Sequence, residues 1–382
     1  MENVNKQIKV RESGPELFKI IGILLVVISH VVQTLESNFG YLVGFSDYVL
    51  IFGKPTEDIQ ILIISFLRYS GALGNAIFFI SSAWYLLDKT KTNIQKVFRM
   101  VIEIFVISVL WLVITVIFTD FELNETYIKK SFFPTYYSNT WYLTDYIKFC
   151  FVFPFLNILI KTVSQKIHFI VGFALFIVYG ILAFFMSIPG ECTFILWISI
   201  YVLMAYFKMY CPKITSSFTI NLLMFVIGLG LHITFIIGTN AYGLKHQTAG
   251  IYTTRWNSNQ NIFLIFIAYG LFNIFRKLKI KSSFINLVSS LSMLVYILHE
   301  NIIFRHFYRP TIWHWIHNTL GYNLVLLWVI IYAGLLFLLS CLVAYLYKKF
   351  IQKFIFNISD LIHKIVMKGV DFIISKLMLI FK

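Results

Sequence analysis

The chain has 382 residues, of which 59% are hydrophobic and 13% are charged, and its formal net charge is +15. A soluble domain carries about a quarter of charged residues and could not bury this much apolar surface, so the composition excludes an ordinary water-soluble protein. The cations lie between long apolar runs, which favours the cytoplasmic ends of membrane helices over a nucleic-acid-binding surface.

Ten apolar segments are predicted to span a membrane, because a spanning helix needs about 20 mostly apolar residues. They lie near residues 17–36, 64–87, 98–118, 141–161, 167–187, 192–209, 217–238, 260–276, 284–303 and 323–346. Lys and Arg are concentrated in alternate connections, which predicts cytoplasmic termini at both ends and an even number of spans. The expected fold class is therefore all-α, a multi-pass protein of the cell membrane with about ten transmembrane helices.

The C-terminal segment differs from the spans, because lysines alternate there with apolar residues at helical spacing. This pattern predicts an amphipathic helix on the inner leaflet, with its lysines toward anionic lipids; an eleventh span is disfavoured by the recurring lysine. The chain is thus divided into a transmembrane domain, residues 1–346, and a cytoplasmic basic tail, residues 347–382. The cysteines show no CxxC or metal-ligand spacing, so no metal site is predicted.

A polar stripe runs along the first predicted span. Lys19 and His30 are eleven residues apart, and Glu16 lies about one turn before Lys19. At about 100° per residue these side chains share one face of a helix, with Lys19 near the cytoplasmic surface and His30 roughly 16 Å further out. Lys19 by itself is typical of a snorkelling anchor. A histidine inside a span is costly unless it faces a partner or a polar cavity, which makes His30 a candidate for function.

Five motifs follow one another along the chain. Lys19 and His30 are separated by ten residues in the first span, and Lys96 and Arg99 lie at the start of the third. The others are GNAIFFISSAWYLL at residues 74–87, NTWYLTDYIKFCFVFPFLN at residues 139–157 and SLSMLVYILHENI at residues 290–302. With these motifs the sequence resembles the acyltransferase 3 superfamily of membrane-bound acyltransferases, especially the branch that O-acetylates cell-envelope and capsular polysaccharides.

The sequence departs from the family pattern at three of these positions. Lys19 and Lys96 stand where the family has arginine, and Ser82 stands where it often has glycine. Lysine keeps the positive charge but lacks the planar fork that binds phosphate or carboxylate through two hydrogen bonds. These departures bear on how the acyl donor is held.

The resemblance implies that the protein transfers an acetyl group from acetyl-CoA, as a co-substrate, to a hydroxyl of a polysaccharide or lipid-linked sugar. It implies that Lys19, Lys96 and Arg99 hold CoA. His30 is expected to act as general base or as a transient acyl carrier, two roles that the sequence does not separate. His299 and Glu300, near the outer end of the ninth span, are predicted to complete the catalytic site.

Each of these residues also has a simpler interpretation. The basic side chains could be ordinary positive-inside charges, and His299 with Glu300 could be an interfacial pair. Trp141, Tyr142 and the segment 304–323, predicted as an outer loop rich in His, Trp, Tyr and Arg, are typical of interfacial anchoring, although sugar stacking is an alternative.

Three other functions compete with acyl transfer. A glycan transporter or repeat-unit polymerase is the main alternative, but neither predicts a histidine on a lysine-headed stripe. A membrane sensor or scaffold would normally bring a soluble domain. The other major family of membrane-bound O-acyltransferases is disfavoured because its late histidine in a long apolar run and its paired Asn region are not recognised here. The acceptor sugar and the oligomeric state are not predicted.

Overall fold

The computed structural model describes residues 12–34, 57, 59–186, 192–246, 259–321 and 323–380. Over these ranges the chain is helical and contains no strand. The helices are α1 (Gly14–Gln33), α2 (Ile59–Arg68), α3 (Ser70–Leu86), α4 (Ile94–Phe118), α5 (Glu125–Phe132), α6 (Trp141–Thr162), α7 (Gln165–Phe176), α8 (Ala183–Met186), α9 (Cys192–Tyr210), α10 (Pro212–Ser216), α11 (Phe218–His246), α12 (Ile262–Phe275), α13 (Ser283–Ser289), α14 (Ser292–His299), α15 (Arg309–Leu320), α16 (Val325–Phe350) and α17 (Gln352–Ile380).

Every predicted span contains a helix, and the all-α membrane class is confirmed. In the described ranges eight helices are long and apolar enough to cross a membrane, or nine if one bent pair is a single span. The structure differs at two places from the expectation of ten continuous spans. Helix α12 has 14 residues, which gives about 21 Å of rise against a hydrocarbon core of about 30 Å. The predicted ninth span ends at a break after His299, and the two stretches on either side of the break, Ser283–His299 and Phe304–Leu320, are bent by 69°.

Helices α1 and α3 form the centre of the bundle. In an apolar stretch of 18 residues in α1, 61% is buried, whereas the corresponding share is only 22% in the peripheral helix α11. Small residues let the two central backbones approach closely. A Cβ added at Gly74 of α3 would lie 2.5 Å from the carbonyl oxygen of Gly22 in α1. The glycine that opens the motif at residues 74–87 is therefore the contact that sets the position of α1.

Helix α6 continues through a proline. Pro154 cannot donate a hydrogen bond to the carbonyl of Cys150, four residues earlier. The Thr92 hydroxyl, which precedes α4, donates to that carbonyl instead. One turn further on, Asn157 donates to the Leu86 carbonyl at 2.9 Å, which ties α6 to the end of α3. The polar side chains of the motif at residues 139–157 thus join the spans at one end of the bundle.

The break in the ninth span begins directly after α14. Asn301 accepts a hydrogen bond from the backbone N–H of Ile303 at 2.9 Å and donates to Ser108 of α4 at 3.3 Å. A π-helical turn, Phe304–Tyr308, follows and leads into α15. The segment expected to be an outer loop is therefore helical over most of its length. Residue 322 lies outside the described residues, as do residues 35–56 with the apolar segment 41–53 assigned to an outer connection.

The C-terminal helix α17 packs along α4. Its buried positions, Ile355 and Ser359, are four residues apart on one face. On the same face Gln352 donates to Glu103 of α4 at 2.7 Å, and Asp360 accepts from Arg99 at 2.8 Å. The tail is helical, as its lysine pattern predicts, and its first half lies against the transmembrane domain.

Candidate active site

The polar stripe of α1 faces the broken span. Glu16 accepts a hydrogen bond from the Ser289 hydroxyl at 2.5 Å, at the end of α13. About four turns further along α1, His30 lies 3.0 Å from His299, at the end of α14. Both contacts join residues about 270 positions apart in the chain. The stripe predicted from the spacing of residues 16–30 is therefore one side of a buried contact between two spans.

Three of the predicted site residues form one cluster. His30 Nδ1 lies 2.9 Å from Glu300 Oε2 and 3.0 Å from His299 Nε2. All three residues are buried, with exposed fractions of 7%, 2% and 1% for His30, Glu300 and His299. The structure thus brings the late histidine and its neighbouring carboxylate into contact with His30, and their catalytic role stays a prediction. A solvent-facing interfacial pair does not fit residues buried to this degree.

The contacts of His299 fix where the protons of the cluster lie. His299 Nδ1 is 2.5 Å from the Val295 carbonyl, which only accepts, so this nitrogen carries the proton. Nε2 of a neutral His299 is then an acceptor. His30 Nδ1–H must be the donor, and it is shared between His299 Nε2 and the Glu300 carboxylate. This tautomer leaves His30 Nε2 with a lone pair that can accept a proton or attack a carbonyl carbon.

Two arginines hold the carboxylate of Glu300. Arg305 Nη1 donates to Oε1 at 3.0 Å, and Arg309 Nη1 donates to Oε2 at 3.4 Å. Arg305 lies within the π-helical turn Phe304–Tyr308 and Arg309 opens α15 directly after it, so both guanidinium groups come from the segment that follows the helix break. Arg305 and Arg309 thus keep the carboxylate fixed against His30.

The sequence did not single out these arginines as site residues. They belong to the segment 304–323, for which interfacial anchoring was the favoured interpretation. Arg309 and Trp313 are 0% and 1% exposed, so that interpretation is wrong for both; Trp315, at 66%, still fits it. Tyr142 is also buried, with its ring 6.2 Å from that of Tyr296, rather than facing a membrane surface.

The cluster could in principle hold a metal ion. His30, His299 and Glu300 each offer one ligand atom, and these atoms lie within 4.8 Å of one another. The same carboxylate, however, faces two guanidinium groups, which would repel a divalent cation. The direct hydrogen bonds between the three side chains also use the ligand atoms. We therefore interpret the cluster as a hydrogen-bonded acid–base site.

The three cations predicted to hold CoA lie in separate surroundings. Lys19 Nζ is 3.8 Å from Glu16 Oε1, and its side chain keeps 18% of its surface exposed. Arg99 forms a two-pronged pair with Asp360, with distances of 2.8 and 2.5 Å. Lys96 is exposed, in the first turn of α4. Their joint role as a phosphate site stays a prediction.

The comparison with known families adds one finding. The sequence profile of the acyltransferase 3 family, described as an acyltransferase domain, matches residues 12–345. This range contains α1, the broken span and every residue of the buried cluster. No curated protein and no solved structure matches the chain.

Proposed function

Since the chain belongs to the acyltransferase 3 family, we propose that it moves an acetyl group from cytoplasmic acetyl-CoA to a hydroxyl of a cell-surface or lipid-linked glycan. The observation that supports a role for His30 is its hydrogen bond to Glu300. At 2.9 Å this bond orients the imidazole and directs Nε2 away from the carboxylate. A histidine oriented in this way by a carboxylate is a general base of the kind used in acyl transfer.

The reaction at Nε2 can be written as a balanced step. His30 Nε2 takes the proton of the acceptor hydroxyl as the hydroxyl oxygen attacks the thioester carbonyl. The C–S bond then breaks, and the leaving CoA thiolate receives the proton from the imidazolium. Glu300 stabilises the positive charge that the ring carries between these events. The products are the acylated glycan and free CoA.

A covalent route through the same nitrogen is the second form of the proposal. His30 Nε2 attacks the thioester carbonyl, the C–S bond breaks and CoA leaves as the thiolate, so that His30 carries the acyl group as an acyl-imidazolium. The acceptor hydroxyl oxygen then attacks that carbonyl, the C–N bond breaks, and the hydroxyl proton released to water replaces the proton that the CoA thiolate takes from water. This route suits a donor and an acceptor that reach the site from opposite membrane faces, since the acyl group is retained while the partners change. Trapping of a labelled acetyl group on the protein in the absence of acceptor separates the two routes.

The donor is proposed to approach from the cytoplasmic side. The phosphates of CoA call for cations, and Lys19, Lys96 and Arg99 all lie near the predicted inner ends of α1 and α4. Arg99 is the strongest candidate chemically, because only a guanidinium offers two parallel hydrogen bonds to a phosphate. Its present partner, Asp360, occupies that edge and would have to give way.

The helix α17 is proposed to lie on the inner leaflet of the cell membrane, with both termini in the cytoplasm. Beyond residue 367 all its described residues are exposed, and they include the apolar side chains Phe372, Ile373 and Leu377. Lys368 and Lys376 accompany them. Apolar side chains with lysines beside them are what an anionic lipid surface binds.

The first prediction tests the role of His30. His30→Ala should abolish acetylation of envelope glycans, because it removes Nε2, the nitrogen to which the proposed mechanism assigns the proton transfer. The measurement is mass analysis of glycans from cells that lack the native protein and express the variant. His232→Ala is the matched control, since His232 is equally buried but lies in α11, outside the cluster. Normal acetylation by His30→Ala protein that is present in the membrane would contradict the mechanism.

A further inference from the structure

The charge around Glu300 is not balanced within the cluster. Arg305 and Arg309 both pair with this single carboxylate, and their side chains are 21% and 0% exposed. In the hydrogen-bond arrangement described above, the rings of His30 and His299 are both neutral and add no charge to the cluster. Among the described residues no second carboxylate pairs with either arginine. One positive charge is therefore left in excess, and an uncompensated buried cation inside a membrane protein is costly.

Three nitrogens of the same arginines are also buried without an acceptor among the described residues. They are Nε of Arg305 and both Nε and Nη2 of Arg309. Glu300 uses only one N–H edge of each guanidinium, so the remaining donors point elsewhere. A buried donor without a partner costs free energy, and donors on charged groups cost most. An anion with two or three oxygens would satisfy the missing hydrogen bonds and the excess charge together.

We propose that Arg305 and Arg309 form an anion site beside His30 and that the glycan acceptor carries a carboxylate or phosphate near the hydroxyl that is acylated. This inference rests on the proposed function. Guanidinium groups match the geometry of both anions through paired hydrogen bonds. The anion would anchor the acceptor and leave its neighbouring hydroxyl to reach His30 Nε2.

The position of the arginines favours the acceptor over CoA as the source of the anion. Helix α13 begins next to the basic residues 276–281, which the charge pattern places at the cytoplasmic surface. From Ser283 to His299 a continuous helix would rise about 24 Å, so the arginines lie toward the opposite face. Of the two arginines, Arg305 is the one with an accessible side chain, and it would meet the acceptor first.

The test measures binding to the full chain in detergent without acetyl-CoA. The probes are methyl glucoside, which is neutral, methyl glucuronide, which has a carboxylate, and glucose 6-phosphate, each titrated at constant ionic strength. We expect the two anionic sugars to raise the melting temperature saturably, and the neutral sugar not to do so. Preference between the two anions identifies the carboxylate or the phosphate as the group recognised.

Variants of Arg305 assign the effect to this site. Arg305→Gln should weaken binding of the anionic probe on the order of tenfold, the loss expected for one charge-assisted hydrogen bond. The affinity of Arg305→Lys for this probe should lie between those of the unaltered chain and of Arg305→Gln, because lysine keeps the charge but not the planar fork of arginine. Lys129→Gln is the matched control; it removes a cation from α5, where Lys129 pairs with Glu125 outside the cluster.

Three results would overturn the proposal: equal stabilisation by the neutral sugar, no saturable stabilisation by either anion, or the same loss in Lys129→Gln as in Arg305→Gln. If Arg305→Gln does not fold, the comparison of charged and neutral probes on the unaltered chain still tests the proposal. Because no acyl donor is present, failure here leaves the His30 experiment as the separate test of acyl transfer.

Discussion

At the scale of single residues, the decisive feature is the order of hydrogen bonds from Val295 through His299 to His30. A backbone carbonyl can only accept, so His299 Nδ1 carries a proton. This determines which atom donates in each of the other hydrogen bonds of the cluster. Glu300 then competes with His299 for one proton on His30. The carboxylate is held in turn by Arg305 and Arg309. The reactive nitrogen of His30 is thus set by residues that touch only its other side.

Replacement of the carboxylate tests this order. In Glu300→Gln the amide N–H₂ can donate to His30 Nδ1, which favours the tautomer with the proton on Nε2 and removes the base. We expect kcat to fall by about 10²–10⁴, the contribution of a general base, with little change in KM for acetyl-CoA.

The measurement is the rate of acetyl transfer per folded molecule, with the melting temperature recorded separately because two guanidinium groups lose their partner. Ser289→Ala is the control: it removes the hydrogen bond between the same two spans at Glu16, away from His30. An unchanged kcat for Glu300→Gln would assign the carboxylate a purely structural role.

At the scale of helices, the position of His30 depends on the close packing of α1 against α3. Gly74→Ala would place a methyl group 2.5 Å from the Gly22 carbonyl and 2.6 Å from a Val26 methyl. Neither the backbone oxygen nor the buried valine can move without shifting α1. We expect a destabilisation of about 1–3 kcal/mol and a loss of acyl transfer.

The matched control is Gly334→Ala in α16, where an added Cβ meets nothing within 4 Å. There the better helix propensity of alanine should leave stability unchanged or slightly improved. Thermal unfolding in detergent compares the two variants. Equal stability of both would show that α1 and α3 can separate without cost.

The contact between α17 and α4 leads to a prediction about the donor. Asp360 holds Arg99 through both of its oxygens. If Arg99 binds CoA phosphate, Asp360→Asn should lower KM for acetyl-CoA by releasing the guanidinium, and Arg99→Ala with Lys96→Ala should raise it. These expected changes in KM have opposite signs, which distinguishes them from a general loss of function, and Asp371→Asn, at an exposed position of the same helix, is the control. No change in KM in any variant would place CoA elsewhere.

The ion pair also has a defined dependence on pH. Arg99 lowers the pKa of Asp360 from its ordinary value of 3.8 to about 2. A carboxylate with a lowered pKa contributes to docking above its ordinary pKa and loses this contribution as the pH falls from about 4 toward 2. The ion pair between Arg99 and Asp360 should therefore not respond to pH in the neutral range.

At the scale of the whole molecule, the sidedness of the bundle decides which substrate reaches which part of the cluster. The charge pattern predicts that α5 lies outside and that the end of α6 lies inside. In a chain without its four native cysteines, Glu125→Cys should react with an impermeant maleimide on intact cells, whereas Lys161→Cys should react only after permeabilisation. Both positions are exposed. The reverse pattern would invert the proposed paths of donor and acceptor.

The sequence by itself determined the membrane class, the helices and the polar stripe on α1, because these follow from composition and from a helical repeat that acts over a few turns. It also pointed to His30, His299 and Glu300 as residues that apolar spans do not tolerate without a partner. The resemblance of its motifs to those of the family added the expectation of acyl transfer.

Only the tertiary structure decided that these three residues share one set of hydrogen bonds, since His30 and His299 are 269 positions apart and no local pattern fixes how two spans pack. The same holds for Arg305 and Arg309, which reach Glu300 from the segment after the helix break, and for Arg99, which pairs with Asp360 of α17. Local periodicity predicts which face of a helix is polar, but the partner of that face is set by the packing of the whole bundle.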